Sequence, residues 1–402
     1  MIEWSSDELM IRDAVRDWVA KEVRPHQDAL DSGEASPYPI IRNLYQTFGM
    51  ADLAASSFDK RIAREKAGEP VKDKSEGSGP DAGASFTMLP IIELCKVAPG
   101  LVTAMGVSLG LAAGTIMKRG SVEQKERWGR DLLTFDKVGA WAITEPDSGS
   151  DAFGGMKSSA RVDGDGWILN GNKTFITNGP DADTIVFYAK LDDGRPVRDR
   201  EILCFVLDKG MEGLVQSRPL RKMGCHSSPT GELFLQDVRV GRDRLLAVGG
   251  SGKESAKQNF TTERAGVAAM SLGVIEECLR LSVDYAKSRV AWGKPIGDYQ
   301  LIQLKLAKME VARINVQNMV FRHIELSKAG RTPTLAEASA MKLYSAQAAS
   351  EVAMEAVQLF GGNGYIAEYR VEQLARDAKV FQIYAGTDEL QITHIARDLL
   401  SR

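Results

Sequence analysis

Cysteine and histidine are both scarce, at four each in 402 residues. Cys95, Cys204, Cys225 and Cys278 lie far apart and match no CxxC or zinc-ligand spacing, so they read as reduced, buried thiols. His26, His226, His323 and His394 are equally dispersed, with no HExxH pattern, which argues against a metal site. Excess charge is also lacking: the formal net charge is -3, and no basic footprint for nucleic acid is present. No apolar run is expected to reach the ~18–20 residues that span a bilayer. The start, Met1-Ile2-Glu3-Trp4, has neither a basic n-region nor an apolar h-region, so no signal or transit peptide is read and a cytoplasmic location is expected. What remains is an ordinary globular composition, 44% hydrophobic and 26% charged, long enough for two or three packed units.

Three regions follow one another. Residues 1–138 read as helical: Ser5 and Glu8 make a capping-box pattern, Ile11, Val15, Trp18 and Val19 share a helical face, and Pro25 closes the stretch. A second helix is expected over about 38–55, and residues 59–85, charged and glycine-rich, read as a long surface loop. Helix resumes over 89–118 and 122–133. Residues 139–250 change period. Asn170-Gly171 between two β-rich runs is a hairpin signal, and 184–189, 202–207 and 232–240 are further strands. Residues 251–402 are helical again, with helices expected at about 253–290, 297–329, 334–360, 367–383 and 388–400. The expected fold is therefore α+β and mostly α: an N-terminal helical domain, a middle β-barrel or sandwich domain, and a C-terminal antiparallel four-helix bundle.

Four motifs carry chemistry. Thr144-Glu145-Pro146-Asp147-Ser148-Gly149-Ser150-Asp151 is a turn dense in hydroxyls and small residues beside the β region, suited to a flavin edge or a pyrophosphate. Phe175-Ile176-Thr177-Asn178-Gly179 is a strand end and turn. Arg289-Val290-Ala291-Trp292-Gly293-Lys294-Pro295-Ile296 with Gln300 puts a planar, permanently charged donor at a helix end. Leu359 to Glu389 joins a glycine cluster to a second small-residue turn, Tyr384-Ala385-Gly386-Thr387. Taken singly, each is also a turn, a helix cap or a solvated helix end.

Taken together and in register, these strings resemble the signatures of the acyl-CoA dehydrogenases over almost the whole chain. The resemblance implies FAD as cofactor and desaturation of an acyl-CoA thioester at Cα–Cβ, in fatty-acid or branched-chain catabolism. It implies that Ile143, Thr144 and Ser150 lie along FAD, with Ser150 also near the acyl-CoA. Phe175, in place of the family's usual tryptophan, would cover the flavin, with Thr177 near its N5. Arg289, Trp292, Gln300, Gln358, Gly361 and Gly362 would contact the FAD of a neighbouring subunit, and Thr387 and Glu389 would help hold FAD. Thr261, Arg264, Ala385 and Gly386 would face the substrate. A homotetramer, a dimer of dimers, is implied by the shared site, and electron-transfer flavoprotein is the implied reoxidant. Gln373 stands where the family has Lys or Arg, a change expected to matter for surface charge.

Removing a thioester α-proton needs a carboxylate with a raised pKa and a donor on the carbonyl oxygen. Many members carry a glutamate where this chain has Ala385. Glu263, followed by Arg264 and read as opening the first long C-terminal helix, is the substitute. The resemblance is to the isovaleryl-CoA and long-chain branches, which pair a base there with a small residue in the later turn. Alone, Glu263 reads more readily as a solvated first-turn carboxylate favoured by the helix dipole. The Ala385 N–H would remain as the thioester donor, and its small side chain opens space near Cα and Cβ. Two alternatives stay open: a flavin oxidase or monooxygenase on the same fold, and a non-catalytic acyl-CoA- or protein-binding homologue.

Overall fold

The computed structural model describes residues 3–69, 83–247 and 252–401, with backbone alone for 252–262. The N-terminal part is helical: α1 (Ser6–Trp18), α2 (Gln27–Ser32), α3 (Pro37–Thr47), α4 (Met50–Lys66), α5 (Gly83–Cys95), α6 (Pro99–Gly106), α7 (Gly114–Arg119), α8 (Val122–Gln124) and α9 (Arg130–Leu133). The expected capping box starts α1: Ser5 Oγ accepts from the Glu8 N–H, and the Glu8 carboxylate accepts from the Ser5 N–H. Pro25 does not end the first stretch. A π-helical segment, Val19–Val23, and a 3-10 turn, Arg24–His26, carry it directly into α2.

Two expectations fail here. Helix α4 runs through residues 59–66, where a loop was expected. Phe58 and Ile62 bury one face against Met117, while Glu65 accepts from Arg61 (2.9 Å) and pairs with Lys125 (2.6 Å). The charges that suggested a loop are the outer face of an amphipathic helix. At its other end the expected loop is also helical, since residues 83–85 open α5, and 70–82 lie outside the described residues. Residues 99–119 form one continuous helix through a π-helical stretch, 107–113, long and apolar enough to cross a membrane, so the expectation that no such run exists is corrected. Most of it is buried inside the protein. The Gly139 N–H donates to Ser108 Oγ (2.8 Å), and a Cβ on Gly139 would stand 2.7 Å from that of Ala112. Small residues let this helix lie close on the sheet.

The middle part is a seven-stranded mixed sheet: β1 (Gly139–Ala142), β2 (Ser159–Asp163), β3 (Gly166–Thr177), β4 (Thr184–Leu191), β5 (Ile202–Asp208), β6 (Leu214–Gln216) and β7 (Thr230–Val240). The order is β1-β4-β2-β3-β7-β6, with β5 also on β4; β1 and β2 both run parallel to β4. Asn170-Gly171 is not a hairpin. It lies inside β3, where the register on β7 shifts, and the Asn170 side chain exchanges hydrogen bonds with Asp237 (3.0 and 2.9 Å). A Cβ on Gly171 would fall 2.2 Å from Ser158 Oγ, so the glycine is there for a close approach. The two-residue hairpin is one strand earlier, at Gly164-Asp165 between Asp163 and Gly166, with Gly164 at φ +61°.

The C-terminal part comprises α10 (Gly252–Ser288), a small hairpin of β8 (Val290–Ala291) and β9 (Lys294–Pro295), α11 (Gln300–Lys328), α12 (Leu335–Phe360), α13 (Val371–Lys379) and α14 (Asp388–Leu400). The helix expected over 367–383 is shorter, flanked by 3-10 turns at Ala367–Tyr369 and Val380–Gln382. One hydrophobic core joins α1, α5, α6, α10, α12 and α13, so the two helical parts are packed as one body. The sheet has its own core on one face and meets the 107–132 helices on the other. All four cysteines are free and buried. Gln373 is not at the surface: it is 3% exposed, accepts from Gln27 (3.0 Å) and donates to Val97 O (3.3 Å) and to Asp377 (3.3 Å). The expected effect on surface charge is therefore corrected to a role in a buried polar junction between the N- and C-terminal helices.

Candidate active site

The long α10 organises the first group. Glu263 lies about three turns into this helix, not at its opening, so a first-turn dipole role is excluded. Its side chain is partly buried. Burial pushes its carboxyl up to about 7, against the pull of Arg264 and Lys342. Arg264 is 2% exposed, and its Nη1 donates to Ser339 Oγ of α12 (2.9 Å). Seven residues beyond Glu263, on the same helical face, the Met270 sulfur accepts from the Tyr384 hydroxyl (3.5 Å). The charge of Glu263 adds to the burial that holds the Tyr384 phenol well above its ordinary pKa.

This places the Tyr384-Ala385-Gly386 turn on the Glu263 face of α10. Ala385 and Gly386 both have positive φ, +54° and +85°, unusual for an alanine. The Gln391 amide holds this conformation by donating to Ala385 O (3.0 Å) and Gly386 O (2.7 Å). A Cβ on Gly386 would stand 2.8 Å from Gln391 Nε2 and 3.6 Å from Arg264 Nη2. Among the described residues, no acceptor takes the Ala385 N–H. Thr387 caps α14 by accepting from the Leu390 N–H (3.4 Å), and Glu389 is exposed. The Thr261 side chain lies outside the described residues.

The second group lies on the sheet. Ile143 is buried, Thr144 O accepts from the Thr174 N–H (3.0 Å), and Ser150 is exposed. Phe175 sits at a bulge of β3 with φ +56° and is 68% exposed, an open aromatic face; Thr177, two residues on, is partly buried. Beneath them, Lys173 is fully buried. It donates to Ile143 O (3.1 Å) and pairs with Glu145 (2.8 Å), whose carboxylate also accepts from the Lys157 and Ser158 N–H groups. Sequence reasoning missed Lys173 and its role in shaping this loop. A lone lysine between β-rich residues was the available signal.

The third group forms a concave site of about 360 Å³, lined by Tyr285, Arg289, Ile296, Leu359, Phe360, Gly361, Gly362 and Asn363. Tyr285 stacks on Phe360 at 4.0 Å and forms one wall. Gly361 has φ +61°, and a Cβ on either glycine would meet nothing within 4 Å, so the cradle is open to a ligand. Arg289 and the two glycines are thus brought together. Trp292, 91% exposed at the β8–β9 tip, and the exposed Gln300 and Gln358 do not line the concavity. From Glu263 to Ser288, α10 advances 25 residues, roughly 38 Å at about 1.5 Å per residue, so the first and third groups stand far apart in one chain. An open aromatic face, a glycine cradle and a permanently charged guanidinium are features that fit a flavin dinucleotide.

The chain matches three domains in succession: acyl-CoA dehydrogenase N-terminal domain over residues 5–136, middle domain over 140–238 and C-terminal domain over 250–400. It is 34% identical to an acyl-CoA dehydrogenase of Bacillus subtilis over 98% of both chains. Its structure is similar to butyryl-CoA dehydrogenase from Megasphaera elsdenii, with a TM-score of 0.84, 31% identity and full coverage of both chains. It is also similar to a glutaryl-CoA dehydrogenase from Mycobacterium smegmatis in complex with FADH2, with a TM-score of 0.80 and 27% identity over 99% of this chain and 95% of that one.

Proposed function

Since the chain belongs to the acyl-CoA dehydrogenase family, it is an FAD-dependent oxidoreductase acting on an acyl-CoA, and we propose that Glu263 is the base that starts its reaction. One juxtaposition carries this reading: Glu263 and the Ala385 turn meet on the same face of α10. Glu263 takes the α-proton of the thioester. A carboxyl at about 7 is well matched to that task near neutral pH, because it is ionised enough to act and basic enough to hold the proton. The Ala385 N–H donates to the thioester oxygen and stabilises the charge that develops there. The buried Arg264 guanidinium, beside Gly386, keeps the pocket electropositive.

FAD, when bound, supplies the acceptor for the hydride that leaves Cβ. Ile143, Thr144, Ser150, Phe175 and Thr177 would hold it from the sheet, with Thr387 and Glu389 at the turn, while Ser150, Thr261, Arg264, Ala385 and Gly386 would border the substrate. Arg289, Gly361 and Gly362, with Trp292, Gln300 and Gln358, would serve the FAD of a neighbouring subunit. The separation of roughly 38 Å along α10 between Glu263 and the cradle supports that division. A homotetramer follows, with electron-transfer flavoprotein as the reoxidant and functional boundaries near 138/139 and 250/251. The pairing of Glu263 with Ala385 points to a branched or long acyl group, whereas the structural relative named above acts on butyryl-CoA.

The test is anaerobic bleaching of the bound flavin by a panel of straight, branched and aromatic acyl-CoAs. Glu263→Gln should keep FAD and slow bleaching by about a hundredfold to ten-thousandfold. Bleaching at near wild-type speed would remove Glu263 from the role.

A further inference from the structure

Behind Glu263 lies a buried ion pair that the reaction as described does not use. Lys342 of α12 is fully buried, and its Nζ lies 3.1 Å from Asp388 Oδ1 at the first turn of α14. Asp388 Oδ2 accepts from Gln347 of α12 (3.2 Å) and from Gln382 (3.0 Å). Gln382 immediately precedes the Ile383–Thr387 turn and Asp388 immediately follows it, so this one carboxylate clasps both ends of the turn and fastens them to α12. Ser339, which binds Arg264, is one helical turn before Lys342 on the same face of α12. Desolvating an ion pair generally adds little net stability, so stability alone does not account for this one.

We propose that Lys342 is a positioning residue for the α-proton transfer: held by Asp388, it supplies a fixed positive charge that favours the ionised form of Glu263, while the pair fixes the Ala385 turn. Among the described residues, the titratable and charged groups near Glu263 are Arg264 from its own helix, Lys342 from α12 and Tyr384 from the turn, with His394 of α14 beyond Arg264. Both cations favour the charged carboxylate, and Lys342 is the one contributed by another element. The inference rests on Glu263 being the base.

The experiment is the pH dependence of anaerobic flavin reduction in the FAD-loaded enzyme, paired with infrared titration of the Glu263 carboxyl band in the substrate-free enzyme, the band being assigned by its loss in Glu263→Gln. Lys342→Met should move both midpoints upward by about one pH unit, and Lys342→Arg should leave both near wild type. If Lys342→Met fails to fold, the double variant Lys342→Met/Asp388→Asn, which leaves no buried charge unpaired, should show the same upward shift. Unmoved midpoints in the methionine variants would overturn the proposal, as would an equal shift in Lys342→Arg. Rapid bleaching by Glu263→Gln would instead overturn the assignment of the base, independently of where Lys342 moves the carboxyl titration.

Discussion

Glu263 holds its proton to about pH 7 in the folded chain, whereas an ordinary glutamate releases it near 4.5. Two consequences follow. Flavin reduction should rise with pH through about 7 as the base ionises, read as a single ascending limb in stopped-flow rates. For stability the sign is negative: between 4.5 and 7 the native state binds more protons than the unfolded state, so this residue's contribution is lost as pH rises. Glu263→Gln removes that penalty. Its melting midpoint should exceed that of the wild type at pH 8, with the gap closing at pH 5; an equal gap at both would contradict the raised pKa. The residue itself was legible only through the resemblance. Its helical context gives no hint of burial, and Lys342, whose charge acts on it, and Asp388, which pairs with Lys342, are dozens of residues away in sequence. Asp388 lay within a motif already singled out, but its partner was hidden in an alanine-rich helix.

Among the elements, the strands and long helices announced themselves by period, and the errors arose where close contact overrode local pattern. Asn170-Gly171 has turn chemistry, yet β3 runs straight through because Gly171 must pass Ser158. Gly171→Ala should therefore lower stability by about 1–3 kcal/mol in denaturant unfolding, with no change in oligomeric state. Helix α4 was mistaken for a loop because its charges were counted without their spacing; Phe58 and Ile62, four apart, were the missed signal. Gln373 misled for a different reason. A polar residue in a charged helix reads as surface, and only the packing of α13 on α2 shows that it satisfies Gln27 and Val97 O. Gln373→Ala removes the acceptor for Gln27 and the donors to Val97 O and Asp377, leaves only the long Gln27–Val97 O bond (3.4 Å), and should cost about 1–3 kcal/mol. A loss under 0.5 kcal/mol would mean that water replaces the amide.

At the scale of the molecule, one helix sets the distance between two chemical groups. The Arg289 cradle lies at the far end of α10 from Glu263, and Arg289→Ala should weaken FAD retention while leaving Glu263 and the Ala385 turn untouched. Absorbance at the flavin band after gel filtration measures this directly, and full retention would count against a role for the arginine.

The proposed sharing of the site would also make defects separable between chains. A subunit carrying Glu263→Gln still offers its neighbour an intact Arg289, and a subunit carrying Arg289→Ala still owns a working base. Two inactive preparations, unfolded together and refolded as mixed oligomers, should therefore recover a fraction of activity that neither regains alone. The rigid length of α10 turns two lesions in one gene product into a complementing pair.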